Sequence, residues 1–303
     1  DLDALKTISS FNSISLLLAL VALTVGMYFD GLRLQRLVKI GGYKLSIKAV
    51  LRVIFSNYFM AMLTPGASGG AVAQVLVLRS YGVPISKGTP IVLIRTVFSI
   101  MFLVIMLPFV FLRDAIEIPY ISRDMLLIFA VLAVIVTLLG TYILQTKYMR
   151  QFVYNLAQRF KAHKTKDWLS KLETLNQGLG LLYKQPIQSF IVFIESGLSL
   201  LCLYCIAPAL MYAFTPDIPI IDILDRMILL NLILYFAPTP GGTGIAEGLF
   251  VVLFSTFVPN GTVGIVAVAW RVMAEYLPFF VGMYAVLTLY GRQFVAQETS
   301  TEQ

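Results

Sequence analysis

Apolar residues in this chain come in long blocks, not in the short alternating runs of a soluble fold. Five blocks are continuous: Asn12–Phe29, Lys87–Leu112, Met125–Gln145, Pro186–Phe214 and Gly261–Tyr290. At roughly 18 to 25 residues, such blocks match the length an α-helix needs to cross hydrocarbon. Two further stretches, Val53–Leu78 and Met227–Val258, are interrupted. The first breaks at Thr64-Pro65-Gly66-Ala67-Ser68-Gly69, the second at Pro238-Thr239-Pro240-Gly241-Gly242-Thr243-Gly244. Proline removes a backbone donor and clashes with the preceding turn, and glycine lets the chain reverse. Each remaining half is about 11 to 15 residues, too short to cross alone but suited to a re-entrant hairpin.

The polar segments between the blocks give direction. Gly31–Arg52 carries Arg33, Arg36, Lys39, Lys44, Lys48 and Arg52 with no acid, and Thr146–Lys184 carries eight basic residues against Asp167 and Glu173. The excess of Lys and Arg marks both as cytoplasmic. Arg113–Asp124 and Thr215–Arg226, where acids balance or outnumber bases, then lie outside. This holds only if each interrupted stretch enters and leaves on one side, the first from the cytoplasm and the second from outside. The N-terminus is then outside and the C-terminus cytoplasmic. Leu32, Leu34, Leu37, Val38 and Ile40 lie among the arginines, so the first basic segment reads either as an interfacial helix against anionic headgroups or as a solvated connector.

Composition narrows the class further. Of 303 residues, 58% are hydrophobic and 13% charged, against about 25% charged in soluble domains. The mean hydropathy is +0.84. The net charge of +7 sits in particular loops, so membrane orientation explains it and nucleic acid does not. Ser13–Phe29 leads into charged sequence without a small-residue cleavage site, and reads as a span and not a signal peptide. Cys202 and Cys205 read either as packing residues or as a redox or metal Cys-x-x-Cys pair. The one histidine, His163, lies in a basic loop, which argues against a histidine-ligated metal. No cofactor is implied.

An internal repeat organises the blocks. A shift of 175 places Thr64-Pro65-Gly66-Ala67-Ser68-Gly69 on Thr239-Pro240-Gly241-Gly242-Thr243-Gly244. The first span then falls on the one near Ile187, and Gly88–Phe111 falls on Val263–Val286. Arg95 comes within one residue of Arg271, and Asn57 within one of Asn231. The expected fold is an all-α polytopic membrane protein with inverted-topology repeats, each carrying a re-entrant broken hairpin. It forms a single transmembrane domain over 1–303, with halves of about 12–112 and 187–290, a linking span of about 125–145 and a basic cytoplasmic loop of about 146–185. Secondary transporters use such a plan, with substrate between the interrupted segments.

Ionised groups inside a span cost several kcal/mol or so and need a reason. Arg95, Glu195, Glu247, Arg271 and Glu275 are the cases. One reading is an ion-pair set, most simply Arg271 with Glu275 or Glu247. The other is anion binding: Arg95 and Arg271 would clasp one phosphate or phosphodiester, helped by half-helix N-termini after the two Pro-Gly turns. Candidate substrate contacts are then Arg95, Arg271, Glu247, Glu275, Asn57, Asn231, Thr64, Pro65, Gly66, Ser68, Gly69, Thr239, Pro240, Gly241, Gly242, Thr243 and Gly244.

Pro240, Gly241, Gly242, Gly244 and Glu247, followed by Arg271, Tyr276, Pro278 and Gly282, resemble the transmembrane region of the lysylphosphatidylglycerol synthase family. The first half matches through Thr64-Pro65-Gly66, Gly69-Gly70, Leu78-Arg79 and Arg95. Ala71, Val72 and Ile94 stand where that family often has acids. The resemblance implies lipid translocation between the leaflets of a prokaryotic cytoplasmic membrane, without the synthetase domain some members carry. The expected substrate is an anionic or aminoacylated phospholipid or a polyprenyl-phosphate-type lipid. Two alternatives stay open: a membrane scaffold for a separate synthetase or glycosyltransferase, and a membrane enzyme acting on lipid phosphates. Self-association stays open too. No nucleophile–base pair or Asp-rich metal motif stands out, so a non-enzyme is expected.

Overall fold

The computed structural model describes residues 11–113, 123–143, 180 and 185–301. Its named elements are all helical: α1 (Ser13–Ile40), α2 (Ile47–Leu63), α3 (Ser68–Ser80), α4 (Ile85–Leu112), α5 (Arg123–Ile143) and α6 (Pro186–Tyr204). They continue as α7 (Ile206–Met211), α8 (Ile220–Leu234), α9 (Ile245–Phe254), α10 (Val263–Arg271), a π-helical turn (Val272–Tyr276) and α11 (Leu277–Thr301). Four stretches are long and apolar enough to cross a membrane: Ser13–Ile40, Ile85–Leu112, Pro186–Met211 and Val263–Leu289. The protein is an all-α polytopic membrane protein.

Its side chains are distributed for lipid. Leu17, Phe129, Val136, Phe190 and Phe280 face outward, while Asp30, Arg33, Arg95, Glu195 and Arg271 are buried. In hydrocarbon an outward apolar residue costs nothing, and a charge is tolerated only inside, beside a partner.

Both interrupted stretches fold as helix–break–helix. α2 stops before Pro65; Gly66 (φ 60°) and Ala67 (φ 53°) then take left-handed backbone. Thr64 Oγ1 accepts the Gly69 N–H at 2.8 Å, satisfying one orphan donor at the start of α3, and donates to the Met60 carbonyl at 2.8 Å. α8 ends at Leu234, and after Pro238 and Pro240 the left-handed Gly241 (φ 58°) and Gly242 (φ 68°) lead to α9. Ala67 occupies the position of Gly242 in the 175-residue register, so the same turn forms there with a strained non-glycine residue.

The hairpins approach from opposite ends of the bundle. Arg52 donates to the Tyr81 hydroxyl at 2.6 Å, closing the base of the first hairpin beside the start of α4. Asp225 near the start of α8 pairs with Arg113, just past the end of α4, at 3.3 Å. The tips meet as an isolated antiparallel bridge between Pro65 and Pro240.

Some boundaries differ from expectation. α1 does not stop at Phe29 but runs to Ile40, because Arg33 and Arg36 are paired inside the protein. Of the six basic residues of the Gly31–Arg52 segment, Lys39, Lys44 and Lys48 are exposed, Arg33 and Arg36 are paired with acids, and Arg52 is bonded to the Tyr81 hydroxyl. The 31–40 segment is helical, yet it continues the span with Leu34, Leu37 and Val38 buried. The spans expected over Gly261–Tyr290 and Pro186–Phe214 are present as Val263–Leu289 and Pro186–Met211, the first containing the π-helical turn and the second a break in its α-helix at Cys205. Cys202 and Cys205 are free thiols. The basic loop of 146–185 and the 114–122 segment lie outside the described residues, but for 180 and 185.

Candidate functional site

Beside the hairpin tips the bundle buries two charge clusters. The first is centred on Asp30, which is 2% exposed on its side chain. On one α-helix, residues three apart share a face, so Arg33 reaches back and its Nε donates to Asp30 Oδ1 at 2.5 Å. Arg95 of α4 arrives from across the bundle. Its Nε donates to Asp30 Oδ1 at 3.1 Å and its Nη2 pairs with Asp30 Oδ2. Arg95 Nη1 donates to Gln74 Oε1 of α3 at 2.5 Å, and Gln74 Nε2 donates to Asn57 Oδ1 of α2 at 2.8 Å. Gly70 makes that approach feasible: a Cβ there would stand 2.4 Å from Asn57 Oδ1. Arg33 Nη1 donates to Ser99 Oγ at 2.8 Å. Tyr235, in the break of the second hairpin, interacts with Ser99 and lies within electrostatic reach of Asp30, Arg33 and Arg95. One polar chain therefore joins the first hairpin to the second through α4 and α1. With two guanidiniums and one carboxylate, it is net +1 by formal charge.

The second cluster is centred on Arg271, 1% exposed, at the end of α10. Its Nε donates to Glu247 Oε1 at 2.8 Å, its Nη2 donates to the Gly241 carbonyl at 2.9 Å, and its Nη1 pairs with Glu275. Glu247 also accepts the Gly244 N–H on Oε2 at 2.7 Å, capping the start of α9 with its own carboxylate. Two carboxylates and one guanidinium make this cluster net −1. Glu247 and Glu275 keep 30% and 22% of their side-chain surface accessible, so the face open to a ligand is acidic. The π-helical turn carries Glu275; such turns are frequent at functional sites because the extra residue redirects side chains.

The structure brings together most of the residues singled out in the sequence, but not in a single two-arginine clasp. Arg95 and Arg271 belong to separate clusters, and among the described residues no hydrogen bond or ion pair joins them. Tyr58 lies within electrostatic reach of Asp30, Arg33 and Arg95 on one side and of Glu275 on the other. Pro65, Gly66, Ser68, Pro240, Thr243 and Gly244 are exposed at the breaks, where Ser68 and Thr243 donate to the carbonyls of Pro65 and Pro240 at 3.1 and 2.8 Å. Thr239 Oγ1 is buried and has no hydrogen-bond partner among the described residues. Asn231 turns to its own helix, donating to the Met227 carbonyl at 2.9 Å. Glu195 is held by Arg36 Nε and Nη2 at 3.1 and 2.7 Å, with Arg36 Nη1 on Gln188 at 2.9 Å, and clamps α1 to α6.

Sequence reasoning missed Asp30 and Arg33, because they follow Phe29, where the apolar block fades. The signal was the acid–base spacing of three on a helix that had not ended. It also missed Gln74, Ser99 and the tyrosines at 58, 204 and 235.

The order of these features along the chain matches a known pattern. A family model for the lysylphosphatidylglycerol synthase TM region covers residues 3–282. The chain belongs to this family. A UPF0104 membrane protein of Archaeoglobus fulgidus is 21% identical over 263 residues, spanning 84% of this chain and 80% of that one. Membership in a membrane domain of lysylphosphatidylglycerol synthase-like proteins points to a lipid-related function in the membrane. In this lysylphosphatidylglycerol synthase TM-region protein, Gly241, Gly242, Gly244 and Glu247 form the break and cap of the second hairpin, and Arg271 is the centre of its acidic cluster.

Proposed function

We propose that the protein is a lipid flippase, moving a phospholipid between leaflets while its acyl chains stay in the bilayer. One observation carries this reading. Two broken hairpins, entering from opposite ends, touch at Pro65 and Pro240 beside two buried clusters of opposite net charge. A headgroup crossing hydrocarbon must exchange water for fixed polar partners, since each uncompensated charge costs several kcal/mol or so. The net-positive Asp30–Arg33–Arg95 cluster suits its phosphate. The accessible carboxylates of Glu247 and Glu275 suit an amine. Among the candidate lipids, this pairing favours an aminoacylated or otherwise amine-bearing phospholipid over a polyprenyl phosphate, which offers nothing to the acidic side. Arg271, enclosed by Glu247, Glu275 and the Gly241 carbonyl, sets the two carboxylates in place and is not assigned to phosphate. The hairpins are the cores of two inverted-topology halves, and alternating exposure of the site follows from rocking one half against the other.

The orientation that accompanies this reading places the chain in a prokaryotic cytoplasmic membrane, N-terminus outside, with Lys39, Lys44 and Lys48 against anionic headgroups. No enzymatic step is part of it.

The test is leaflet exchange in proteoliposomes, with headgroup-labelled lipids and a membrane-impermeant quencher. Anionic, amine-bearing and polyprenyl-phosphate lipids form separate arms, each with wild type, Arg95→Ala and Arg271→Ala. Faster exchange of the amine-bearing lipid by wild type, lost in both variants that still elute as folded protein, is the expected result. Wild type no faster than empty liposomes in all arms would sink the flippase reading in favour of a scaffold.

A further inference from the structure

Tyr204 carries a polar atom that the fold does not use. It ends α6 at the mid-span break and is 4% exposed, and its hydroxyl has no hydrogen-bond partner among the described residues. Burying a hydroxyl without a partner costs more than burying the same ring as phenylalanine. The atom therefore has a use outside the resting protein. Its surroundings say what kind. The groups within electrostatic reach of the Tyr204 hydroxyl are Arg33, Tyr58 and Tyr235. Arg33 has its Nε on Asp30 and its Nη1 on Ser99, and its Nη2 has no hydrogen-bond partner among the described residues. The cluster behind it is net positive. Tyr235 keeps 39% of its surface exposed although it lies against Ser99, so it marks the side from which a ligand can reach these groups.

We infer that Arg33, Tyr204 and Tyr235 form a phosphoryl-binding subsite that takes the phosphodiester of a lipid headgroup. A phosphoryl oxygen between the Arg33 guanidinium and the Tyr204 hydroxyl receives one charge-assisted and one neutral donor. Arg guanidinium matches phosphate geometry, and a tyrosine hydroxyl donates where a phenylalanine would leave the oxygen bare. Arg95, whose donors go to Asp30 and Gln74, holds Asp30 so that Arg33 is aimed. It is a positioning residue here. The inference rests on the flippase reading for its lipid, but not for its anion.

The experiment titrates purified full-length protein in detergent with dihexanoyl-phosphatidylglycerol, a soluble phosphodiester lipid, by calorimetry. Inorganic phosphate forms a second arm. Tyr204→Phe is expected to melt no earlier than wild type in the absence of lipid and to bind the lipid roughly 10- to 100-fold more weakly, the worth of a hydrogen bond to a charged group. Tyr235→Phe, which also removes the interaction with Ser99 and whose lipid-free melting midpoint is therefore read alongside, should weaken binding several-fold (about one neutral hydrogen bond). Tyr28→Phe, 62% exposed and elsewhere on α1, should bind as wild type does. If Tyr204→Phe and Tyr235→Phe both bind the lipid like wild type, the hydroxyls meet only water and the subsite is refuted. If inorganic phosphate binds as tightly as the lipid, the ligand is the free ion and the lipid assignment falls. Leaflet exchange separates the two readings: lipid binding lost in Tyr204→Phe with no exchange by wild type keeps the subsite and removes the flippase. Exchange by wild type with Tyr204-independent binding does the reverse.

Discussion

Asp30→Asn should be the most damaging single charge change in the molecule. Asp30 is one carboxylate shared by two buried guanidiniums, each about 7% exposed on its side chain. Two opposite charges about 4 Å apart attract by about 4 kcal/mol at an effective dielectric of about 20. Asp30 makes two such pairs, and it also screens Arg33 from Arg95. Its neutralisation leaves two enclosed like charges facing each other, and stranding a buried charge costs about 3 to 5 kcal/mol. In a chain of 303 residues, taking about 2 to 4 °C per kcal/mol, that is a fall of roughly 6 to 20 °C in the melting midpoint. The double variant Asp30→Asn/Arg33→Gln restores the cluster to net +1 and should recover a large part of the loss. The assay is the thermal midpoint in detergent, read by size-exclusion of heated samples. If Asp30→Asn melts within about 2 °C of wild type, a shift worth under about 1 kcal/mol, or if the double variant is no better than the single one, the cluster is wet or the pairing is different, and the reasoning fails.

Other perturbations follow from the same packing. Gly282→Ala would place a Cβ 2.1 Å from the Phe55 carbonyl oxygen, prising α11 from α2. A loss of about 1 to 3 kcal/mol should show as a lower midpoint, whereas Gly248→Ala, with nothing within 4 Å, should be neutral or stabilising. Arg36→Ala strands Glu195, whose side chain is 7% exposed, and should cost more than Glu195→Gln. A double-mutant cycle on the pair should return a coupling of roughly 0.5 to 2 kcal/mol, and zero coupling would remove the clamp between α1 and α6. Glu247→Gln keeps an acceptor for the Gly244 N–H but loses the charge facing Arg271. It should lower the midpoint modestly, by about 0.5 to 2 kcal/mol, while abolishing exchange of amine-bearing lipid. Unchanged exchange would detach the acidic cluster from the substrate.

The chain itself determined its solvent. Blocks such as Lys87–Leu112 can be hidden from water only in a bilayer, and the proline–glycine breaks at Pro65 and Pro240 follow from local backbone chemistry that no tertiary contact needs to impose. Register between the two breaks was also legible, because repeated local chemistry repeats in sequence, and the same residues carried the family pattern. Tertiary structure decided the pairing of charges. Arg95 and Arg271 look alike in sequence, each an isolated cation in an apolar span, yet one shares Asp30 with Arg33 and the other is enclosed by Glu247 and Glu275. Asp30 and Arg33 read as loop residues because hydropathy averages over a window and does not register an acid and a base that neutralise each other on one helix face. The partner of a buried charge is chosen by which helices meet, and Asp30 and Arg95 are 65 residues apart. That distance in sequence, closed only by packing, is why the opposite signs of the two clusters belong to the fold and not to the chain.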